Sequence, residues 1–339
     1  MSARRRKAPE QTLFAFAEEQ DERRKGVDAL FASVPHFRTP ARFLDLLFGT
    51  AHFRAYAPYN AMLIHVQRPQ ARYVLPAARW GRYNRVVRRS ANPLVILRPF
   101  SPVCYLYDLA DTRVQPGRAD RFPPHWAERP EDDPVADVSP VLLNRLFGRL
   151  PLWGVAHETV PTGPASAGRL FVADAAPVPD LDVKIGATSV AWPPVYVLQT
   201  RESAPNTDIF TALVHELARL FCRHVRCAYE KGWGAGREQT ESAESFETLV
   251  ATWLVCRRQQ VASAAYADLR DRLSALDEIP DISFDAVLDA VAEIETMLGD
   301  CTVEDGFLYR HSPSFAAQVR VTRDLQRRPP APPGVLTCN

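Results

Sequence analysis

The stretch FTALVHELARLFCRH, residues 210–224, decides how the second half of this chain of 339 residues is interpreted. Its apolar residues recur at helical spacing, and His215 and Glu216 match the start of the zinc-peptidase motif H-E-x-x-H. In that motif, two histidines four residues apart bind the metal, and the glutamate is the general base. Here the fourth residue after His215 is Arg219, whose permanently protonated guanidinium has no lone pair for a metal.

Two other residues of the same stretch are candidates to replace the missing histidine. On a continuous helix, His224 would lie nine residues after His215, near the opposite face, so the two imidazoles could not bind one metal. Cys222 would lie on the correct face but two turns away, about 10 Å along the helix axis. Neither residue restores the motif.

The acidic stretch REQTESAESFETL follows, and Glu241 or Glu244 is the candidate for a third ligand. We expect Arg219 to replace the charge of the metal through charge-assisted hydrogen bonds with Glu216 or with these two carboxylates. The sequence therefore predicts a vestigial metal site, with His215, Glu241 and Glu244 as its former ligands. Glu216 would be a catalytic base only if activity remains. No cofactor is expected, and zinc is the one alternative kept open.

Charge is divided unevenly along the chain, although the net charge is only +1. Residues 1–107 contain 18 basic and 7 acidic side chains, whereas the remainder contains 23 basic and 33 acidic ones. No acidic residue occurs between Asp45 and Asp108, a segment that holds nine arginines. A basic half of this kind indicates binding to nucleic acid or to another anionic surface.

Aromatic residues are interleaved with these arginines. Trp80, Tyr83 and Arg85 fall in the stretch AARWGRYNRVVRR, where the density of charge indicates that some of the rings lie near the surface. Single-stranded nucleic acid is held by this combination, since cations follow the phosphates and each ring that stacks on a base contributes about 1–3 kcal/mol. The competing interpretation, in which a ring belongs to the core, is favoured for Phe53 and Tyr73.

The hydrophobic pattern predicts an α+β protein with two domains. The predicted parts are a small α/β domain at residues 1–112, a Pro- and Asp-rich linker at 113–139, a helix-rich domain at 140–325 and a Pro-rich tail at 326–339. Helices are predicted at residues 11–31, 40–48, 59–66, 140–150, 208–227, 239–258, 265–276 and 284–298. Strands are predicted at residues 73–75, 93–97, 103–106, 153–158, 169–173 and 195–199.

The stretch RFLDLLFGTAHFRAYAPYNAMLIHVQRPQARYVLPAARWGRYNRVVRR, residues 42–89, resembles the N-terminal domain of ArdC-like antirestriction proteins. The matching features are the Asn-bearing turn YNAMLI, a Gln-x-Pro, the Trp-containing stretch and the closing phrase YDLADT. HELARLFCRH and AESFETLVATWLVCRR resemble two helices of the zincin-like metallopeptidase domain of that family. The resemblance spans most of residues 40–261. The chain departs from the family pattern at Arg219, which breaks the zinc motif, and at Asn84 and residues 86–92, where family glycines are missing.

The resemblance implies a first domain that binds single-stranded DNA with little sequence preference, and a protein that protects incoming mobile DNA from restriction. It also implies a second, metallopeptidase-like domain, here with a degenerate motif. The candidate DNA-binding residues are Arg54, Asn60, Trp80, Tyr83, Arg85, Arg88 and Arg89. Two alternatives remain: an active zinc endopeptidase with atypical ligands, and an interaction protein whose basic first part docks on the acidic second part of a neighbouring copy.

The cysteines and the hydropathy predict the cellular setting. Six cysteines are scattered without a repeating framework, as is typical of reduced thiols in a reducing compartment. No stretch approaches the roughly 18 apolar residues that span a bilayer, and no apolar stretch follows the basic start. We therefore expect a cytoplasmic protein without a membrane partner, and the sequence specifies no protein partner.

Overall fold

The computed structural model describes residues 35–98, 101–124, 137–161, 168–173, 178–225 and 239–327. The helix predicted at 11–31, most of the predicted Pro-rich tail, Cys227 and Cys338 lie outside these ranges. Within them, no helix is both long enough and apolar enough to cross a membrane.

The α-helices of the described part agree with those that the sequence predicts to within a few residues, except for three additional ones. These three are α3, α9 and α10, and α5 ends six residues before its predicted end. In chain order, the helices are α1 (Pro40–His52), α2 (Pro58–Gln67), α3 (Ala77–Trp80), α4 (Pro140–Arg149), α5 (Asn206–Phe221), α6 (Glu241–Arg258), α7 (Ala265–Ser274), α8 (Phe284–Leu298), α9 (Phe307–His311) and α10 (Pro313–Arg327).

The predicted strands are also found, together with four that the sequence does not predict: β2, β5, β8 and β9. In chain order, the strands are β1 (Val74–Leu75), β2 (Arg85–Val87), β3 (Leu94–Arg98), β4 (Ser101–Asp108), β5 (Thr112–Val114), β6 (Val155–Val160), β7 (Gly168–Val172), β8 (Leu181–Ile185), β9 (Thr188–Trp192) and β10 (Tyr196–Arg201). The mixture of helices and small sheets agrees with the predicted α+β class.

The chain forms two compact units, and each is built from two separate segments. Unit 1 consists of Met1–Asp137 and Gln239–Ala292, and unit 2 consists of Val138–Glu238 and Glu293–Asn339. The sequence predicts a boundary at residue 112 and places all later helices in the second domain. The units differ from this prediction because α6, α7 and most of α8 pack with the N-terminal segment.

Helix α1 is held in unit 1 by aromatic packing and by a buried arginine. The ring centroid of Phe43 lies 5.9 Å from that of Phe246 in α6 and 5.7 Å from that of Phe284 in α8. Arg258, at the end of α6, is 3% exposed and donates a hydrogen bond of 2.8 Å to the backbone carbonyl of Thr50. The late helices therefore complete a core that begins with α1.

A three-stranded antiparallel sheet, in the order β1-β4-β3, forms another part of unit 1. One face of this sheet packs against α2, with Ile64, Leu94 and Leu106 buried in the shared core. Helices α1 and α2 approach each other closely at Gly49, where an added Cβ atom would lie 2.0 Å from Nδ1 of His65. The close approach of these helices brings α2 into position beside strand β3.

Unit 2 is built on a three-stranded sheet in the order β6-β10-β7, with β10 parallel to β6 and antiparallel to β7. Helix α5 packs on β7 and β10. Gly168 permits this approach, because a Cβ atom there would lie 3.2 Å from the Cβ of Ala212. A hairpin of β8 and β9 packs against α10, where the amide of Gln326 donates to the carbonyl of Ile185 and the hydroxyl of Thr188.

Candidate functional sites

Strands β2 and β5 pair as a two-stranded antiparallel ribbon in unit 1. We name residues 81–89 and 112–122 the basic ribbon. Asn84 shapes it, because its backbone adopts a left-handed conformation with φ of 57° and its amide donates to the carbonyl of Ala119 at 2.8 Å. Asparagine is one of the few residues besides glycine that adopt this conformation readily. The segment after β5 is therefore tied back onto β2.

Most arginines of the basic ribbon are exposed. The exposed ones are Arg82, Arg88, Arg89, Arg113, Arg118 and Arg121. Arg88 and Arg89 are predicted DNA-binding residues, as is Arg54, which is exposed outside the ribbon, and their contact with DNA stays a prediction. The last three arginines are not among the predicted residues, because the composition of residues 113–139 predicts a linker, whereas the start of that segment forms β5.

The carboxylates close to the ribbon in sequence are engaged by two other arginines. Arg68 forms an ion pair with Asp111, and Arg85 forms one with Asp120. The Nε of Arg85 also donates to the hydroxyl of Thr112 at 2.8 Å, and its side chain is only 13% exposed. Two of its nitrogens are thus engaged inside the ribbon, and the contact of Arg85 with DNA stays a prediction. Asp111 and Asp120 are thus already paired with arginines other than the exposed ones.

The aromatic prediction needs correction. Trp80 is fully buried, and its Nε1 donates to the backbone carbonyl of Tyr107 at 3.1 Å. Its ring centroid lies 5.8 Å from that of Phe122, and the half-buried Tyr83 lies 5.6 Å from the same ring. Trp80 is a core residue with no accessible ring face, so it cannot stack on a base in this conformation. The base contact of Tyr83 stays a prediction.

Asn60, a predicted DNA-binding residue, lies on α2 beside strand β3, which is at the edge of its sheet. Its amide donates to the backbone carbonyl of Leu97 and accepts from the N–H of the same residue, both at 3.0 Å. Gln67, seven residues later, forms the same pair of bonds with Val95, at 2.8 and 2.9 Å. We name this arrangement the amide clamp. The amide of Asn60 closes the sheet edge here, and its contact with DNA stays a prediction.

In unit 2, helix α5 presents the degenerate motif to strand β7, which is an edge of its sheet. The Nη1 of Arg219 donates to Oε2 of Glu216 at 2.7 Å, which is one of the contacts that the sequence predicts. The same oxygen accepts the backbone N–H of Leu170, in β7, at 3.1 Å. We name these three groups the carboxylate clamp. His215 has a side chain that is 45% exposed, and its Nδ1 lies 3.5 Å from Oε1 of Glu216.

The surroundings of Glu216 set its protonation. Burial raises the pKa of this carboxyl, but the hydrogen bond from His215, the charge of Arg219 and the N–H of Leu170 outweigh burial. The pKa of Glu216 therefore lies below its ordinary value of 4.5. A general base is most effective when its pKa is close to the working pH. An acidic carboxyl that is already bonded to a guanidinium is poorly suited to that role.

The residues of this motif do not fit a two-histidine zinc site. Arg219 stands at the second histidine position, and it binds the carboxylate that would serve as base. Helix α5 ends before His224, whose backbone N–H donates to the carbonyl of Arg219 at 2.9 Å in the closing turn. Glu241 and Glu244 lie in the first turn of α6, and their role as former ligands stays a prediction.

Comparisons with known proteins give one match. No family model matches the chain, and no curated protein matches it. Among solved structures, it is similar to the crystal structure of the antirestriction ArdC protein from the R388 plasmid, described as a metal-free structure. The alignment has 11% identity and a TM-score of 0.33, and it covers 72% of this chain and 85% of that one. A match at this level does not establish a shared family or activity.

Proposed function

We propose that this chain is a sequence-tolerant single-stranded DNA-binding protein, and that unit 1 holds the strand through the basic ribbon. The observation that carries the proposal is the set of exposed arginines on this ribbon beside carboxylates that are already paired. Guanidinium groups form charge-assisted, often bidentate hydrogen bonds with phosphate oxygens. Contacts of this kind fix a strand in place but carry no sequence information.

The same proposal assigns no catalytic role to unit 2. Its support is the carboxylate clamp, in which Glu216 is bound to Arg219 and to the N–H of Leu170. A metallopeptidase needs that carboxylate available to activate water. The biological setting that we propose, protection of incoming mobile DNA from restriction, rests on the sequence resemblance and not on this geometry.

The test is a binding titration of the full chain with labelled single strands and with a duplex of the same length. Each phosphate neutralised on a single strand contributes about −0.7 to the slope of log K against log salt. Replacing Arg89→Gln and Arg113→Gln together should make that slope shallower by about 1.4 and weaken binding of every sequence alike. The matched control is Arg270→Gln with Arg320→Gln, two exposed arginines outside the ribbon.

Three results would contradict the proposal: no binding at low salt, a salt-independent affinity, or an equal loss in the control variant. The proposal for unit 2 is tested separately. Metal analysis of protein purified without added metal should find no stoichiometric zinc, and Glu216→Gln should leave protection of a conjugating plasmid intact. One zinc per chain together with peptide hydrolysis that depends on Glu216 would instead favour the endopeptidase alternative.

A further inference from the structure

The sheet β1-β4-β3 has two faces with different surroundings. Side chains alternate along a strand, so Cys104 and Leu106 of β4 face the core that unit 1 shares with α2. The intervening residues Val103, Tyr105 and Tyr107 belong to the opposite face. We name this opposite face the outer sheet face.

The outer sheet face carries a tyrosine with an unusual degree of exposure. Tyr105 is 54% exposed, which makes it one of the few large apolar side chains in the described part of the chain that are exposed. It lies directly opposite Val95 of β3 in the strand register, and Tyr107 lies opposite Leu75 of β1. These three neighbours are half-buried, so the ring of Tyr105 stands on an apolar surface that extends across all three strands.

The charges at the borders of this surface select an anionic occupant. Strand β4 contains a single carboxylate, Asp108, which is 4% exposed and accepts hydrogen bonds from the backbone N–H groups of Arg72 and Tyr73. Arg98, at the end of β3, is exposed. Tyr105 lies three residues, about 10 Å, before the end of β4, and the basic ribbon resumes at Thr112, after the short turn Leu109–Asp111.

An exposed ring on an apolar surface, bordered by arginines and without a free carboxylate on its strand, fits a polyanion that carries flat apolar rings. Unpaired nucleobases have this chemistry, whereas the bases of a duplex keep their faces stacked on each other. We propose that Tyr105 is the centre of a base-stacking platform, on which a base of the strand held by the basic ribbon packs against the outer sheet face. This inference rests on the proposed function and adds to it the residue that distinguishes single strands from duplexes.

The experiment compares two probes with the same number of phosphates: an oligothymidylate and an abasic strand of equal length. The natural chain should bind the oligothymidylate roughly 5- to 150-fold more tightly if one base stacks. Tyr105→Thr removes the ring but keeps a residue that favours strands. It should reduce the affinity for oligothymidylate to that for the abasic strand, with the abasic affinity and the salt slope unchanged.

Tyr105→Phe should keep the preference for bases, since the ring is retained. Tyr266→Ala, at the other tyrosine that is exposed in the described ranges, is the matched control and should also keep it. Equal affinity of the natural chain for the two probes would overturn the platform while leaving phosphate binding by the ribbon intact. A preference that survives in Tyr105→Thr would place the stacking ring elsewhere and overturn the assignment. Binding of neither probe would refute the proposed function itself.

Discussion

Two sheet edges in this protein are closed by side chains of an adjacent helix, and they use different chemistry. At β3, the amides of Asn60 and Gln67 both donate to and accept from the strand backbone. At β7, the carboxylate of Glu216 can only accept, from the N–H of Leu170. An amide hydrogen-bonds both the N–H and the C=O of an edge strand and carries no charge. A buried carboxylate needs a counter-charge, which here is Arg219. The amide clamp is therefore insensitive to pH, and the carboxylate clamp is not.

The largest expected effect on stability comes from placing a carboxylate, the group of the carboxylate clamp, in the amide clamp. Asn60→Asp replaces the donor to the Leu97 carbonyl with a second acceptor, so one hydrogen bond is lost and a carboxylate faces a carbonyl oxygen. We expect the free energy of unfolding at pH 7 to fall by about 2–3 kcal/mol, measured by urea denaturation. Asn92→Asp, at an exposed asparagine in the same unit, is the control and should change it little. A stability equal to that of the natural chain would mean that the amide clamp contributes nothing.

A smaller effect is expected when the carboxylate clamp loses its counter-charge. Arg219→Ala leaves the buried carboxylate of Glu216 without its guanidinium, but the side chain of Arg219 is 37% exposed, so solvent screens part of the loss. The free energy of unfolding should fall by about 1–2 kcal/mol, while Arg219→Lys should retain most of it. A chelator should leave the melting temperature of the natural chain unchanged, because no metal is needed to hold this clamp. A chelator-induced drop in that temperature would count against charge replacement.

The smallest effect at neutral pH is expected when the second clamp is made to resemble the first. Glu216→Gln keeps an acceptor for the N–H of Leu170 and should change stability by less than about 1 kcal/mol at pH 7. Because the pKa of Glu216 is lowered on folding, its ionisation stabilises the natural chain fully above about pH 4.5. That stabilisation is lost as the pH falls through the lower pKa of the folded state. The glutamine variant lacks the carboxyl, so its stability has no such contribution from this position.

Urea denaturation at a series of pH values between neutral and strongly acidic tests this last prediction. The natural chain should lose more stability below about pH 4.5 than Glu216→Gln does. The double variant Glu216→Gln with Arg219→Ala completes a cycle that measures the coupling between the two side chains. Parallel pH profiles for the natural chain and Glu216→Gln would show that the carboxyl has the same pKa in both folded and unfolded states.

Structural features that depend on residues close together in the chain could be predicted from the sequence. Helical spacing gave the bounds of α6 to within two residues, and the reading of Arg219 as a partner of Glu216 depends only on residues one helical turn apart. Short runs of consecutive apolar residues likewise located β3 and β10. Local periodicity carries this information because one helical turn or one strand fixes which side chains share a face.

Roles that depend on distant partners could not be predicted in this way. Trp80 packs in the core against Phe122, and Asn60 is hydrogen-bonded to the backbone of Leu97, 37 positions later. Phe122 also lies in a segment whose prolines and acidic residues predict a linker, so the composition concealed the ring that buries Trp80. A tryptophan among arginines has the same local pattern whether it is buried or exposed, and only the packing of the fold distinguishes the two.

The hydrogen bond from Arg258 to the backbone carbonyl of Thr50 joins residues 208 positions apart, so it can form only late in the synthesis of the chain on the ribosome. Translation adds about 5–20 residues per second, so α1 leaves the ribosome roughly 10–40 s before its partners in α6 are made. During that interval the apolar side of α1, including Phe43, has no native partner from α6 or α8. A nascent chain stalled before residue 239 should consequently expose a binding site for a chaperone, which closes when the later helices emerge.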